Sequence, residues 1–156
     1  MSVHYRHATE ADLNQISAIE QRVMPSPWTY TSFKQAFDSL HSIILVAADD
    51  YRIYGFSVLY ITAPEAELPD IVIDSDFRRR GIGRALLEYT VSEAVSRGVQ
   101  TIYLEVRVSN QSARSMYDGI GFTQIGLRKY FYSNPVEDAI CMSLDLEAYS
   151  ATDEKI

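Results

Sequence analysis

Four arginines and two glycines stand together in the stretch DFRRRGIGRALLEY, residues 76–89. The chain carries 14 lysines and arginines and a formal net charge of −7, so this is a local concentration of positive charge. The stretch separates a predicted strand from a predicted helix, and the first N–H groups of a helix have no partner inside it. These N–H groups, the positive end of the helix dipole and hydrogen bonds from the guanidinium groups together suit a phosphate or pyrophosphate. The predicted anion site comprises Arg78, Arg79, Arg80, Gly81, Ile82, Gly83 and Arg84.

Two common phosphate-binding motifs are excluded for this turn. A P-loop requires G-x-x-x-x-G-K-[ST], which the sequence does not contain. A dinucleotide-binding fingerprint requires G-x-G-x-x-G, and Leu86 stands where its third glycine would be. A solvated arginine cluster ahead of a helix stays open as the alternative to a phosphate site.

Helix and strand patterns alternate around the turn. They predict an α/β fold, with one mixed central sheet of six to seven strands and helices on both faces. Helices that follow strands require crossover connections, so part of the sheet should be parallel. The predicted helices cover residues 8–23, 29–40, 81–97 and 109–121. The predicted strands cover residues 41–50 and 52–62, which should form a hairpin, and 67–74, 99–108, 122–132 and 137–146.

Certain residues within these elements carry specific expectations. Thr9 is the expected N-cap of the first helix, and Gly98 is expected to end the third. Pro69 cannot donate a hydrogen bond to a neighbouring strand, so it predicts an edge or a bulge in the strand 67–74. One face of the third helix is expected to carry the apolar positions Ile82, Ala85, Leu86, Tyr89, Ala94 and Val95.

The pattern Arg78-x-x-Gly81-x-Gly83 at a helix start resembles the coenzyme A pyrophosphate loop of the GCN5-related N-acetyltransferases. That family's loop reads Arg or Gln, two residues, Gly, one residue, then Gly or Ala. The inferred order of elements resembles the family's fold across nearly the whole chain. Residues 20–33, 103–122 and 128–142 further resemble the ribosomal-protein alanine N-acetyltransferase group, which acetylates protein N-termini. The resemblance implies acetyl transfer from acetyl-CoA to an amine.

The resemblance also implies two catalytic residues, each with a structural alternative. Glu105 lies on the strand face opposite Ile102 and Leu104, and the resemblance makes it the general base. From position alone, a solvent-facing glutamate or an ion pair with Arg107 stays open. Tyr117 becomes the general acid that protonates the leaving thiolate, whereas helical spacing alone favours a core tyrosine.

Further contacts with the coenzyme are implied in the same way. Backbone N–H groups of Ile71, Val72 and Ile73 are expected to polarise the thioester carbonyl, on a strand that splays from its neighbour. Asn110 is expected to contact the coenzyme, with a simple helix N-cap as the alternative. Asp70, together with the proline before it, departs from the group's usual pattern at this point.

Four residues are expected to line a slot for an extended N-terminal peptide: Pro27, Trp28, Tyr130 and Tyr132. The alternatives are a hydrophobic plug for the tryptophan and a half-buried strand for the tyrosines. A protein α-amino group has a pKa near 8, against about 10.4 for lysine, so its deprotonation is easier by roughly 3.4 kcal/mol. One carboxylate could therefore suffice as the base.

Composition limits the remaining possibilities. We expect one N-acetyltransferase domain over residues 1–148 and a polar tail over 149–156. The acidic balance argues against nucleic-acid binding, no apolar run is long enough to span a membrane, and the N-terminal residues lack an apolar signal core. A cytoplasmic monomer or weak homodimer is expected. The single cysteine, Cys141, cannot form an intramolecular disulfide, and it shows no metal-ligand spacing with the three histidines, so no metal is expected.

The sequence therefore predicts an acetyl-CoA-dependent N-acetyltransferase acting on a protein α-amino group, with ribosomal proteins as the expected acceptors. Two alternatives stay open. One is an acetyltransferase for a small-molecule amine or a lysine. The other is a coenzyme A-binding module without catalysis.

Overall fold

Strands and helices alternate through residues 2–149, the part of the chain that the computed structural model describes. The strands are β1 (His4–His7), β2 (Ser42–Ala48), β3 (Ile53–Thr62), β4 (Glu65–Ile73), β5 (Thr101–Arg107), β6 (Thr123–Tyr132) and β7 (Glu137–Asp145). The helices are α1 (Leu13–Val23), α2 (Tyr30–Asp38), α3 (Ile82–Ser96) and α4 (Gln111–Ile120). Short 3-10 turns precede α1 (Glu10–Asp12) and α3 (Ser75–Phe77).

The seven strands form one mixed sheet in the order β1-β2-β3-β4-β5-β7-β6. Every neighbouring pair is antiparallel except β4 and β5, which run parallel on either side of the crossover through α3. The predicted hairpin of β2 and β3 and the predicted mixed sheet are confirmed. A parallel pair at the centre of an open sheet places the ends of two strands side by side, where a ligand crevice can form.

Helices cover both faces of the sheet, as predicted. On one face, Leu13 and Ile16 of α1 and Phe33 of α2 pack against Val46 and Phe56. On the other face, α3 and α4 cover two further clusters, whose helical members include Leu86, Leu87, Val91 and Tyr117. The two faces of the sheet are called the α1/α2 side and the α3/α4 side.

A bulge interrupts β4 at the predicted position. Val58 pairs with Asp70 and Tyr60 with Glu67, so β4 has one residue more than β3 across this interval, around Leu68 and Pro69. Because side chains alternate along a strand, one extra residue reverses which face each position occupies. Leu68 accordingly packs on the α3/α4 side, whereas Val72 packs on the α1/α2 side.

Three details differ from the sequence-based expectations. The strand β1 was not predicted, because four polar residues form a strand here only by pairing with β2. The buried face of α3 includes Leu87, Thr90 and Val91, whereas the expected Val95 is exposed. Thr9 caps the 3-10 turn Glu10–Asp12, whereas Asp12 is the N-cap of α1. Gly98, with φ of 79°, directly follows the C-cap residue and ends α3 as predicted. The predicted tail over 149–156 lies outside the described residues from position 150 onward.

Candidate active site

The arginine–glycine turn leads from β4 into α3 and has two residues in left-handed backbone conformations. Arg79 has φ of 63° and Gly81 has φ of 79°. Gly81 is the N-cap of α3, and the N–H of Ala85 donates the first helical hydrogen bond to its carbonyl at 3.1 Å. The N–H groups of residues 82–84 precede that bond, so they can serve an anion.

The two glycines of the turn meet different needs. A Cβ at Gly81 would meet no atom within 4 Å, so glycine is required there by its positive φ rather than by space. A Cβ at Gly83 would lie 3.3 Å from Cγ1 of Ile73 and 3.3 Å from Sδ of Met116. Gly83 therefore allows α3 to approach both β4 and α4 closely, beside the crevice.

The arginines surround this turn on the solvent side. Arg78, Arg79 and Arg80 are exposed. The guanidinium of Arg80 lies 5.4 Å from the ring centroid of Phe77, and Arg84 forms an ion pair with Glu88 at 3.0 Å. Exposed guanidinium groups beside open helical N–H groups suit a doubly charged phosphate ester.

The strands β4 and β5 diverge towards the turn. They pair only where residues 65–67 face residues 101–103, although β5 continues to Arg107. Ile71, Val72 and Ile73 are paired with β3 alone. Alternate N–H and C=O groups of such a strand point away from its single partner. The expected splay is confirmed, and backbone groups of β4 face the gap between the two strands.

Glu105 lies on β5 at this gap, on the α1/α2 side. Its neighbours Leu104 and Val106 are buried on the opposite side, and the Glu105 side chain is 34% exposed. Arg128 approaches it at 3.7 Å, which is a weak, exposed pairing. The proposed partner Arg107 instead pairs with Glu137 at 3.3 Å, so an ion pair between Glu105 and Arg107 is not formed.

Tyr117 lies on α4, on the other side of the gap. It is only 6% exposed, with its ring 5.6 Å from that of Phe122. Burial raises its pKa well above the usual value for tyrosine, and the charges of Asp70 and Tyr132 act in the same direction. The hydroxyl therefore keeps its proton throughout the neutral range, as a general acid must. It is both a core tyrosine and a candidate acid.

Asn110 caps α4, as its alternative interpretation predicted. Its side-chain oxygen accepts a hydrogen bond from the N–H of Ala113 at 3.2 Å. The residue is exposed, and a contact between it and the coenzyme stays a prediction.

Trp28 lies between α1 and α2 and packs on the α1/α2 side of the sheet. Its ring packs 5.2 Å from Phe33 and stacks on Tyr60 at 6.2 Å and 15° between planes. Its backbone N–H donates to Oε2 of Glu20 at 2.9 Å, and its backbone carbonyl accepts from the side-chain amide of Gln21 at 3.3 Å. A cavity of about 290 Å³ adjoins Trp28 and Tyr60 on the side towards α2. Pro27 precedes it and is half-buried.

The loop between β6 and β7 reaches the same region. The hydroxyl of Ser26 donates to the carbonyl of Ser133 at 3.3 Å, so this loop meets the segment that carries Trp28. Burial raises the pKa of Tyr132 to about 12, with a smaller contribution from the charge of Glu105. Tyr130 is 76% exposed. The structure therefore brings Tyr132 near both Glu105 and Tyr117. Trp28 is connected to this region through the Ser26–Ser133 contact, and Tyr130 stays exposed on the β6–β7 side.

Comparison with known proteins agrees with this geometry. Residues 13–122 match the acetyltransferase (GNAT) family. The chain belongs to this family. It is 38% identical over 137 residues to the [ribosomal protein bS18]-alanine N-acetyltransferase of Salmonella typhimurium, covering 86% of this chain and 92% of that protein. The protein of the same name from Escherichia coli K12 is 34% identical over equal shares.

The solved structures agree with the sequence relatives. The crystal structure of the ribosomal-protein-S18-alanine N-acetyltransferase from Escherichia coli superimposes with a TM-score of 0.86 and 32% identity. The match covers 92% of this chain and 94% of that one. The predicted family and fold are confirmed, and acetyl-CoA is the co-substrate of this GNAT enzyme.

Sequence reasoning missed several residues of this GNAT site. Glu20 lies among the buried apolar residues of α1, where a carboxylate is unexpected. That unusual position was the sequence signal that could have marked Glu20 as a site residue. Tyr60 and Arg107 could not be found from local patterns, because their partners lie far away in sequence. Within residues 2–149, no cluster of His, Cys, Asp or Glu has an arrangement able to hold a metal ion, and no helix combines the length and apolar character needed to cross a bilayer.

Proposed function

We propose that this GNAT enzyme acetylates the N-terminal α-amino group of a protein, and that the acceptor is a ribosomal protein whose N-terminal residue is alanine. The observation that carries the proposal is the gap between β4 and β5, which has Glu105 on one side and the buried hydroxyl of Tyr117 on the other. The names of the two sequence relatives support the choice of acceptor. Such an acceptor places the enzyme in the cytoplasm.

The arginine–glycine turn is proposed to hold the pyrophosphate of acetyl-CoA. The N–H groups at the start of α3 and the side chains of Arg78, Arg79 and Arg80 supply hydrogen bonds and positive charge there. From that anchor, the pantetheine arm can follow the unpaired side of Ile71–Ile73 into the gap. The free N–H groups of this segment then polarise the thioester carbonyl.

Glu105 is proposed to accept a proton from the incoming ammonium group, directly or through one water molecule. An α-amino group with a pKa near 8 needs little assistance to become neutral at physiological pH. The neutral amine attacks the thioester carbonyl, and the amide bond forms as the carbon–sulfur bond breaks and the nitrogen releases its second proton to solvent, which later returns a proton to Tyr117. Tyr117 then donates its proton to the departing thiolate of coenzyme A, since its phenol stays protonated.

The acceptor peptide is proposed to enter between the Trp28 segment and the β6–β7 loop. These two segments touch through Ser26 and Ser133, which supports assigning them as the two walls of one slot. Trp28 and Tyr132 supply aromatic surface, and an extended peptide can use exposed backbone groups of the walls. Tyr130, on the rim, would contact residues beyond the first few of the peptide.

A peptide-library experiment tests the proposal. Purified enzyme and acetyl-CoA are incubated with peptides that differ at the first four residues, and mass spectrometry locates each acetyl group. Acetylation of α-amino groups, with alanine-initiated peptides preferred, supports the proposal. Acetylation of lysine side chains or polyamines in place of N-termini would refute it. The Trp28→Ala variant should lose peptide acetylation and keep acetyl-CoA binding in calorimetry.

A further inference from the structure

Two acidic side chains lie buried where α1 packs on β4. Glu20, on α1, is 1% exposed, and Asp70, on β4, is 6% exposed. Oε1 of Glu20 and Oδ2 of Asp70 are both inaccessible, and neither has a hydrogen-bond partner when each is treated as an acceptor. No ion pair within residues 2–149 includes either group. Two buried carboxylates without cations are strongly unfavourable.

A single proton between the two groups removes this difficulty. Carboxyl groups that share a site cannot both ionise, so one of them holds a proton and donates it to the other. A proton shared between Glu20 and Asp70 would satisfy the two buried oxygens that otherwise lack partners. Burial first, and Glu20 second, raise the pKa of Asp70 to about 9.

The other oxygen of Glu20 connects this pair to the acceptor slot. Oε2 accepts a hydrogen bond from the backbone N–H of Trp28 at 2.9 Å, and the side-chain amide of Gln21 on the same helix donates to the Trp28 carbonyl. Asp70 belongs to the stretch of β4 that lines the gap, directly before Ile71. The pair therefore joins the strand beside the thioester to the segment that is proposed to receive the peptide.

We propose that Glu20 and Asp70 share one proton and that this pair is a positioning device, which holds Trp28 in place for the acceptor peptide. The role assigned to Trp28 rests on the proposed function. Neither carboxyl group is a catalytic residue, because neither is placed at the reacting atoms.

Other titratable groups face the pair from the surrounding elements. Tyr60 on β3 and Tyr117 on α4 both have pKa values raised in part by the charge of Asp70. Tyr132 on β6 in turn acts on Tyr117. All three phenols are neutral near pH 7, so Asp70 is the group whose ionisation changes the pair between pH 7 and pH 9.

Enzyme kinetics against pH test the positioning role. Asp70→Asn keeps a donor for Glu20 but cannot ionise, whereas Asp70→Leu removes the donor. If the ionised pair no longer holds Trp28, a pKa of about 9 leaves about a quarter of the wild-type enzyme competent at pH 9.5. The peptide KM of the wild type, relative to Asp70→Asn, should therefore rise about fourfold between pH 7 and pH 9.5. Asp70→Leu should raise the peptide KM at every pH, with the KM for acetyl-CoA unaltered in all variants.

Thermal unfolding against pH tests the shared proton without any acetyl transfer. The native state keeps the Asp70 proton up to about pH 9, whereas the unfolded chain releases it near pH 4, so wild-type stability falls as the pH rises through this window. Relative to Asp70→Asn, the unfolding equilibrium constant of the wild type should grow by up to about tenfold per pH unit. Glu67→Gln, at an exposed position on the same strand, is the matched control and should follow the wild type.

The outcomes separate the two proposals. Parallel melting profiles of wild type and Asp70→Asn would overturn the shared proton. A divergent melting profile with parallel peptide KM profiles would overturn the positioning of Trp28 and leave the shared proton. If no peptide is acetylated, the proposed function fails, and the melting profiles still decide whether the pair holds a proton.

Discussion

Arg107 fixes the loop between β6 and β7, and replacing it should separate peptide recognition from coenzyme binding. Its guanidinium donates to the carbonyls of Pro135 and Ser133, both at 3.0 Å, and it pairs with Glu137 at 3.3 Å. It also lies 4.4 Å from the ring centroid of Tyr132. All of these partners belong to the loop or its flanking strands, so one side chain holds most of that wall of the proposed slot.

The size of the effect can be worked out from these contacts. A hydrogen bond to a charged group contributes about 1.5–3 kcal/mol, and the low end suits a side chain near the surface. Two such bonds give about 3 kcal/mol for Arg107→Ala, which corresponds to a fall in Tm of about 6–12 °C for a chain of this size. The backbone of β5 stays paired with β7 through Arg107 and Ala139, so Glu105 should keep its place.

Steady-state kinetics and a melting curve measure the two consequences. If the peptide must order the loosened loop, its kcat/KM should fall by up to about 100-fold, because each 1.4 kcal/mol is a factor of ten. The KM for acetyl-CoA should not change. The Tm and the peptide kcat/KM of Arg107→Lys should lie between those of the wild type and Arg107→Ala, because the ammonium of lysine lacks the planar guanidinium that donates to both carbonyls. Arg97→Ala, which removes an exposed arginine bonded to the carbonyl of Glu93, is the matched control.

Two results would refute this reasoning. A normal Tm for Arg107→Ala would mean that its contacts contribute little to the fold. A lowered Tm with unchanged peptide kinetics would mean that the β6–β7 loop is not a wall of the acceptor slot.

Four further substitutions test the catalytic roles and the coenzyme site. Glu105→Gln should lower kcat by about 10²–10⁴ without weakening acetyl-CoA binding in calorimetry, and an unchanged kcat would exclude it as the base. Tyr117→Phe should lower kcat by a similar factor, and a normal rate of coenzyme A release in stopped-flow assays would exclude it as the acid. Gly83→Val should weaken acetyl-CoA binding and lower Tm, because its side chain would meet Ile73 and Met116. Gly81→Ala should lose about 1–2 kcal/mol of stability through its positive φ alone, and a Tm equal to that of the wild type would contradict this account.

The features that the sequence predicted well are those set by neighbouring residues. Asn110 caps α4 through a bond three residues away, and Gly81 begins α3 because few other residues accept its backbone conformation. The bulge at Pro69 follows from a missing N–H. Each of these depends on local chemistry, which a single sequence contains in full.

The features that escaped prediction depend on partners distant in sequence. The strand β1 forms because it pairs with the edge of β2, which lies far along the chain; Tyr5, for example, pairs with Ala47. The partner of Glu105 is Arg128 rather than the nearby Arg107, since the β6–β7 loop attracts Arg107 instead. The buried pair of Glu20 and Asp70 joins a helix to a strand across 50 residues, and no local pattern links them.

One extra residue in β4 connects the two halves of the proposed site. The parallel pairing of β4 with β5 ends at Glu67, directly before the bulge, which is where the gap for the thioester opens. The same extra residue reverses the facing of the strand, so that Asp70 turns away from the α3/α4 side and meets Glu20 on α1. A regular strand would direct this carboxyl group into the apolar cluster that contains Leu68, whose described members include no second carboxyl group to share a proton with it. The bulge therefore supplies both the opening for the coenzyme arm and the anchor for the acceptor wall, which explains how a proline and an acid can occupy the centre of the sheet.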